Sequence, residues 1–244
     1  MSTKSKLRIG LAILCALFPR RVTPLLLRIL LRYDIGKNVR IGFSIIDVAS
    51  CSIGDNTVIG HGNLLTNCNS LLVGNGCKIG HLNIFRGGES ISIGDNCEFL
   101  RLNVVNSIVE PEVNNPYSPS FECADRVTVT QGHRIDFTDH VAIGQGTILA
   151  GRNSSLWTHA RQSTQPITIG DSCYLGSEIR IGPGVNIAQC TIVAMGAVVV
   201  DSFDKPNKVI GGVPARVIKD VGQDNSSLIR KIPDQTETRT RKAK

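Results

Sequence analysis

Residues 167–200 read ITIGDSCYLGSEIRIGPGVNIAQCTIVAMGAVVV, and this stretch decides the fold. An aliphatic residue recurs at every sixth position, and glycine or alanine follows each one except the last. The six positions are Ile169, Leu175, Ile181, Ile187, Val193 and Val199. A period of six fits neither the 3.6 residues of a helical turn nor the two-residue alternation of a flat strand. It is typical of a parallel β-helix, in which each hexad forms one wall of a three-walled coil.

The same phase recurs through most of the chain. Its upstream members are Ile35, Ile41, Ile53, Ile59, Val73, Ile79, Ile93, Phe99, Ile143 and Leu149. Extra residues precede several restarts of the period, and insertions in a solenoid form loops that often carry binding residues. We therefore predict an all-β fold, with one β-helix domain over residues 34–220 and an inserted region at about 102–140.

Charge and composition restrict the partners of this protein. The 244 residues carry a formal net charge of +7, which favours anionic partners such as phosphorylated cofactors, lipid headgroups or nucleic acid. Aromatic residues make up only 5% of the chain, and there is a single tryptophan. Because single-stranded nucleic acid stacks its bases on aromatic side chains, this composition argues against nucleic acid as a partner.

The eight cysteines fit the repeat and do not form a separate motif. Cys51, Cys77, Cys97 and Cys173 each lie two residues before an inward hexad position. A free cysteine in such a slot behaves as a small hydrophobic residue. Since the chain has no Cys-x-x-Cys pair, we predict neither a zinc site nor a redox site. Buried free thiols also indicate a reducing compartment, so we expect a cytoplasmic protein.

Residues 1–33 form a separate amphipathic helical segment. Its first apolar run, residues 9–18, is too short to span a bilayer as a helix. A wide apolar face with a narrow basic stripe suits a membrane surface, which predicts peripheral contact through residues 1–32. A helix that covers the open end of the solenoid would have the same pattern, so both interpretations stay open. Residues 221–244 are polar and basic, and we expect them to form a solvated tail.

His159 is the first candidate for chemistry among the five histidines. It lies within residues 157–161 (WTHAR), in the break of the repeat between Leu149 and Ile169. We therefore expect it on a protruding loop rather than on a wall. An exposed histidine titrates near neutral pH and is the commonest general base in enzymes.

Three other histidines are weaker candidates. His133 comes just before the repeat resumes and is the second candidate base. His61 and His81 each follow the glycine of an Ile-Gly pair, so we expect them at corners of the coil in structural roles.

Two blocks of the chain resemble the hexapeptide-repeat acyltransferases, a family with a left-handed parallel β-helix. In the first, His159 and a short polar loop precede residues 166–171 (PITIGD) and 174–177 (YLGS), as in the catalytic region of galactoside and maltose O-acetyltransferases. In the second, residues 211–219 (GGVPARVIK) are similar to the ending that follows the last coil in the family. Residues 130–159 are also similar to acetyltransferases of cell-surface polysaccharide assembly.

The resemblance implies an acetyl-CoA-dependent O-acetyltransferase that acts on a sugar hydroxyl of a surface glycan or of its lipid-linked precursor. His159 would take the proton from the acceptor hydroxyl, which attacks the thioester directly, and no metal is expected. Ser177 matches by position a small hydroxyl that would meet the oxyanion. The partner that orients His159 stays open among Asp136, Asn153 and His133.

The resemblance also implies a binding site for the acyl donor and an assembly. Arg216 and Lys219 would bind the CoA phosphates as cations. Gly196 and Ala197 would let the pantetheine arm lie against the backbone. The other implied donor-site positions are Met195 and Pro214. Family members are trimers with active sites between subunits, so we expect a homotrimer.

Two alternatives to a sugar O-acetyltransferase stay open. An N-acetyltransferase of amino sugars, or a serine acetyltransferase, would share the fold, and an acceptor amine would need less help from a base. A non-catalytic or metal-dependent β-helix belongs to a different class. A γ-type carbonic anhydrase, for example, would need three histidine ligands for zinc, and the histidines here do not have the spacing for such a site.

Overall fold

The computed structural model describes residues 3–108 and 110–231, and three sheets form the walls of one prism. It confirms the predicted left-handed parallel β-helix, with about nine turns. Wall A contains Asp34–Ile35, Ser50–Ile53, Ser70–Val73, Ser90–Ile93, Ser120–Cys123, Val141–Ile143, Ile167–Ile169 and Asn186–Ile187. Wall B contains Arg40–Ile41, Val58–Ile59, Lys78–His81, Glu98–Arg101, Thr128–Gln131, Ile148–Arg152, Tyr174–Leu175, Ile192–Val193, Lys208–Gly212 and Ala215–Asp220. Wall C contains Ile45–Asp47, Leu64–Thr66, Ile84–Arg86, Val104–Asn106, Arg134–Asp136, Ser155–Trp157, Arg180–Ile181 and Val198–Val199.

The sixfold period of the sequence corresponds to the walls. The six aliphatic residues of the stretch 167–200 point into the prism and are at most 2% exposed. The glycines that follow hexad positions lie where adjacent coils nearly touch. A Cβ on Gly170 would lie 2.5 Å from the backbone nitrogen of Gln189, and one on Gly60 would lie 2.1 Å from the carbonyl oxygen of Gly80. Larger side chains at these two positions would push the coils apart.

The four cysteines of the inward slot line the interior, as predicted. Cys51, Cys77, Cys97 and Cys173 are buried, and all eight cysteines are free thiols. Burial raises the pKa of the Cys51 and Cys173 thiols to about 12. Since only the thiolate is a good nucleophile or metal ligand, these two cysteines are structural.

A polar ladder runs inside the edge between walls B and C, which we call edge BC. Its members are Ser44, Asn63, Asn83, Asn103, His133 and Ser154. The backbone N–H of each member after Ser44 donates to the side chain of the member one coil below, over 2.9–3.2 Å. These bonds satisfy buried polar groups and fix the register between successive coils.

The outside of edge BC carries a residue with positive φ in successive coils. These residues are Gly62, Leu82, Leu102, Gly132 and Asn153. Glycine and asparagine adopt this conformation readily, whereas leucine does so rarely. Leu82 and Leu102 nevertheless have φ of 58° and 60°, and their side chains are 55% and 54% exposed. Apolar side chains presented to solvent from a strained backbone suggest a contact surface.

The interruption of the repeat is narrower than the predicted region 102–140. Within the predicted region, residues 107–108 and 110–119 leave the walls, between a strand of wall C and the next strand of wall A. The strands that continue the walls within the predicted interruption are Val104–Asn106, Ser120–Cys123, Thr128–Gln131 and Arg134–Asp136. Ser90 pairs with Ser120 on one side and with Ser70 on the other, so one coil has thirty residues where its neighbour has twenty.

Two helices, α1 (Thr3–Ala16) and α2 (Thr23–Leu30), form an N-terminal hairpin over the open end of the prism. Helix α1 contacts the first strand of wall C, and α2 contacts the first strands of walls A and B. Cys15 and Leu27 extend the hydrophobic core from this end. The hairpin therefore caps the solenoid. Within the described parts of the chain, no helix combines the length and hydropathy that crossing a membrane requires.

The segment after the last strand folds back on the solenoid. The guanidinium of Arg230 donates to Thr128 Oγ1 over 3.1 Å, and the Ser172 hydroxyl donates to the carbonyl oxygen of Arg230 over 2.7 Å. Arg230 therefore anchors this segment to the solenoid, although most of residues 221–231 are exposed. The rest of the predicted tail, residues 232–244, lies outside the described residues.

Candidate active site

His159 lies on a short hairpin at the edge between walls C and A, which we call edge CA. Strands His159–Ala160 and Ser163–Thr164 pair antiparallel, so the chain leaves the prism and returns within a few residues. The sequence predicts a protruding loop here, and the structure contains one. The His159 side chain is half-buried, so one side of it is accessible at the root of the hairpin.

The insertion 107–119 supports the His159 hairpin from the side. The Asn115 side chain donates to the carbonyl oxygen of Thr164 over 2.9 Å and accepts from the Thr164 N–H over 3.0 Å. The Asn114 N–H donates to the carbonyl oxygen of Gln162 over 3.0 Å. Sequence reasoning missed these contacts. The available signal was that both breaks of the repeat follow a wall C strand, which places both loops at edge CA.

Asp136 fixes the root of the same hairpin through Thr158. Its buried Oδ1 accepts the Thr138 N–H over 2.8 Å and the Thr158 hydroxyl over 3.1 Å. The Thr158 oxygen in turn accepts the Asp139 N–H over 3.0 Å. Thr158 is the residue directly before His159, so Asp136 positions the backbone that carries the histidine. The sequence suggested a direct contact between Asp136 and the imidazole; in the structure Asp136 acts on His159 only through Thr158.

His133 is not accessible to a substrate. It is fully buried as a member of the polar ladder, where its Nε2 lies 3.0 Å from Thr130 Oγ1 and its Nδ1 accepts the Ser154 N–H over 3.2 Å. Burial lowers its pKa from 6.5 to about 4, so the ring is neutral near pH 7. The prediction of His133 as second candidate base, or as the partner that orients His159, is therefore wrong. A histidine just before a wall C strand fills the slot that asparagine fills in earlier coils.

Several predicted donor-site residues meet at edge BC. Ser177 and Gly196 belong to successive coils, and the Gly196 N–H donates to the carbonyl oxygen of Ser177 over 2.9 Å. Gly151 lies beneath them, and a Cβ there would lie only 1.6 Å from Ser177 Oγ. Met195 is 74% exposed beside Gly196, whereas the Ala197 side chain is fully buried. The hexad phase turns the Ala197 side chain inward, so only its backbone could face a pantetheine arm.

The remaining donor-site residues lie on the terminal hairpin of wall B. Strands Lys208–Gly212 and Ala215–Asp220 flank an exposed turn that contains Pro214. Arg216 Nη1 lies 3.0 Å from Asp201 Oδ2, and Lys219 Nζ lies 2.6 Å from Asp224 Oδ2. Both ion pairs are largely exposed, so solvent screens them and a polyanionic ligand could displace the carboxylates.

The two groups of candidate residues lie on different edges of one chain. Ser177 follows a wall B strand at edge BC, whereas His159 follows a wall C strand at edge CA. The width of wall C therefore separates the candidate base from the candidate oxyanion donor. Asn153 also lies at edge BC, so within one chain it does not meet His159. A single copy does not bring the predicted machinery together.

Comparison with known proteins points to acetyltransferases. The galactoside O-acetyltransferase of Escherichia coli is 29% identical over 126 residues, which cover 48% of this chain and 62% of that protein. WcaF of Escherichia coli, an acetyltransferase named for colanic acid biosynthesis, is 28% identical over 123 residues, with 47% and 66% covered. The chain thus spans less than two thirds of either relative. The predicted resemblance to hexapeptide-repeat acetyltransferases is confirmed.

A solved structure shares the fold of this chain. The UDP-N-acetylglucosamine acyltransferase from Campylobacter jejuni matches with a TM-score of 0.51 at 15% identity, over 86% of this chain and 78% of that one. This likeness concerns the fold alone. No family model matches the chain.

The ladder position of His133 predicts a pH-dependent stability. Its folded pKa of about 4 lies below the unfolded value of 6.5, so between these pH values the unfolded chain binds more protons. Stability is therefore fully present above pH 6.5 and falls as the pH drops towards 4, by at most about 3 kcal/mol. Denaturant unfolding of the wild type at a series of pH values measures this loss.

The matched variant is His133→Asn, which copies the ladder residue of the preceding coils. It should keep the fold and lose most of the difference in unfolding free energy between pH 6.5 and 4.5. An unchanged pH profile in this variant would assign the acid sensitivity to other groups.

Proposed function

We propose that this protein is an acetyl-CoA-dependent O-acetyltransferase that acts on a sugar hydroxyl of a surface glycan or of its lipid-linked precursor. The observation that carries the proposal is the braced hairpin at edge CA, which presents His159 at its root. A base must be held firmly to be effective, and two insertions together form this support. The similarity to galactoside O-acetyltransferase and WcaF supports the reaction type and the class of acceptor.

The proposed reaction is a direct transfer. The His159 imidazole accepts the proton of the acceptor hydroxyl as its oxygen attacks the thioester carbonyl. The tetrahedral oxyanion receives a hydrogen bond from the Ser177 hydroxyl or from a backbone N–H at edge BC. The carbon–sulfur bond then breaks, and the proton passes from the imidazolium to the departing CoA thiolate. The products are free CoA and the O-acetylated sugar.

The acyl donor would lie along the upper part of edge BC. Gly196 has φ of 73° and no side chain, so a pantetheine arm can approach its backbone closely. Arg216 and Lys219 would exchange their exposed carboxylate partners for the phosphates of CoA. Met195 and Pro214 are both exposed on the path between these groups.

A homotrimer would complete the site. Since His159 and Ser177 lie on different edges of one chain, a neighbouring copy must bring its edge CA to edge BC. The lower part of edge BC has the surface for such a contact, because Leu82 and Leu102 are exposed there beside a groove of about 560 Å³. Burial of these two leucines would stabilise the assembly.

The proposed acceptor also suggests where the enzyme acts. Lipid-linked precursors lie at a membrane surface, and residues 1–32 are the segment that would contact it. We place the reaction at the cytoplasmic face, where acetyl-CoA and reduced thiols would both be present.

Loss of the base is the first test. His159→Ala should lower kcat by about 10²–10⁴-fold, with little change in the KM for acetyl-CoA, because the imidazole acts on the acceptor and not on the CoA phosphates. The assay follows labelled acetyl transfer to a panel of glycans. His133→Asn is the matched histidine control and should retain wild-type turnover. Near-normal turnover in His159→Ala would remove His159 as the base and would favour an amine acceptor.

The donor site has a separate test. Arg216→Ala should raise the KM for acetyl-CoA with a smaller effect on kcat, as expected for lost ground-state binding. If Arg216 binds the 3′-phosphate, acetyl-dephospho-CoA should be used about equally well by the variant and the wild type. Arg86→Ala removes an exposed arginine from wall C and serves as the control. An Arg216→Ala enzyme with an unchanged KM would exclude this residue from the donor site.

Assembly can be tested with a variant that spares the fold. Leu82→Asn combined with Leu102→Asn should relieve the strained backbone, since asparagine adopts positive φ more readily, while it removes the apolar contact. We expect light scattering to show a shift from the trimer mass towards the monomer mass, with loss of acetyl transfer. Leu72→Asn, on wall A, should leave the mass unchanged. A wild-type protein that is monomeric and active would overturn the shared site.

A further inference from the structure

We propose that the outer face of the N-terminal hairpin docks on an anionic lipid bilayer and holds the prism end-on, with the His159 hairpin far from the lipid. The docking rests on the hairpin itself and not on the proposed chemistry. Its consequence for the acceptor, given below, does rest on the proposed function.

The outer face of α1 is apolar and faces away from the prism. Ala12 and Cys15 point into the protein, at 1% and 0% exposure. On the opposite side of the helix, Leu7 is 67% exposed, Leu14 is 48% exposed, and Leu17, one residue past its end, is 68% exposed. Residues spaced seven and three apart lie on one stripe of a helix. A stripe of exposed leucines is a contact surface, because a soluble protein surface rarely leaves such residues in a row.

The outer face of α2 continues the surface and adds positive charge. Leu25 and Ile29 are 51% and 63% exposed, and Arg21 and Arg32 are exposed near the two ends of the helix. The guanidinium of Arg28 is bound to the carbonyl oxygen of Ile35 over 2.7 Å, which fixes α2 on the prism. A face with exposed leucines and isoleucines beside arginines matches the boundary between acyl chains and headgroups.

The charge of the whole chain is concentrated in this segment. Residues 1–33 contain seven basic residues and no acidic residue, so the remaining 211 residues have a formal net charge of zero. An open groove of about 560 Å³ beside α2 is lined by Arg21, Arg28 and Arg40, and it could receive a lipid phosphate. Charge complementarity therefore selects an anionic bilayer as the occupant, rather than a second copy of the same positive surface.

The lengths and contacts of the two helices define the orientation of the prism on the bilayer. Helix α1 has 14 residues and α2 has eight, so neither reaches the roughly 20 residues of a membrane span and both would lie in the interface. The two helices contact the first strands of all three walls, so their outer faces look away from the end of the prism. Docking by these faces would set the prism axis upright on the bilayer.

This orientation restricts the acceptor. The wall C strand Ser155–Trp157 leads directly into the His159 hairpin and lies five strands above Ile45–Asp47, the first strand of that wall. At about 4.8 Å per strand, the reacting group would meet His159 roughly 24 Å above the first coil. A sugar attached directly to a lipid headgroup would lie too low. The favoured acceptor is therefore an extended glycan, reached several sugars away from its lipid.

Vesicle flotation of the full chain tests the docking. The wild type should bind vesicles of equal parts phosphatidylglycerol and phosphatidylcholine, and should bind pure phosphatidylcholine at least about tenfold more weakly. Leu17→Ser combined with Leu25→Ser should lower binding to the anionic vesicles by about tenfold or more. The control is Leu72→Ser with Leu100→Ser, which removes two leucines that are 47% and 45% exposed on walls A and B and should bind as the wild type does.

Three outcomes would overturn the docking. Equal binding by the two leucine pairs would exclude the hairpin, and equal binding to both kinds of vesicle would exclude the charge. A smaller assembly mass for Leu17→Ser/Leu25→Ser, with vesicle binding unchanged, would make a second copy the occupant. Acetyl transfer to a water-soluble acceptor should be the same in both leucine variants. A protein that docks but transfers no acetyl group would refute the proposed function and not the docking.

The single tryptophan reports the orientation. Trp157 lies near His159 and is 41% exposed, so brominated lipids should leave its fluorescence unquenched on bound vesicles. A reporter at the other end, Leu17→Trp in a Trp157→Phe background, should be strongly quenched. Quenching of Trp157 in the wild type would mean that the prism lies on its side, and the height argument would then be wrong.

Discussion

The polar ladder inside edge BC is the constraint on which the rest of the molecule depends. The backbone N–H of each member, from Asn63 to Ser154, is committed to a side chain one coil below. One extra residue is accommodated at this edge, at the register shift after Val129, because Ser154 still donates to His133 there. A longer insertion would leave a buried donor without its acceptor, which is costly. Long insertions are therefore confined to another edge, and residues 107–119 and 158–166 both leave the prism at edge CA. Edge BC is thus the fixed edge and edge CA the variable edge, and this division determines where the candidate site residues lie.

The division also explains why one chain presents only parts of a site. The fixed edge gives a regular column in which Ser177 and Gly196 stack through a backbone hydrogen bond, and a regular column suits a long, thin donor. The variable edge gives a hairpin whose shape can match an acceptor. The proposed chemistry requires both, and the proposed trimer would place edge CA of one copy against edge BC of another.

The walls could be predicted from the sequence because every hexad needs an inward aliphatic residue and a small residue at the corner. Ile169 and Gly170 are one such pair. His133 was misjudged because a buried polar slot accepts asparagine, serine or histidine, and no period distinguishes it from an active-site residue. The bounds of 107–119 were missed because Val105 and Ile135 lack the glycine that marks other hexads.

The clamp between Asn115 and Thr164 has a consequence for how such a protein can change over evolutionary time. Two loops that are distant in sequence share their hydrogen bonds, so neither can be redesigned alone without leaving the other unsupported. A new acceptor preference would have to arise through paired changes in both loops, and the two segments should be inherited as a unit. The coils beneath the loops could change more freely, because each wall position requires only an aliphatic, a small or a polar residue.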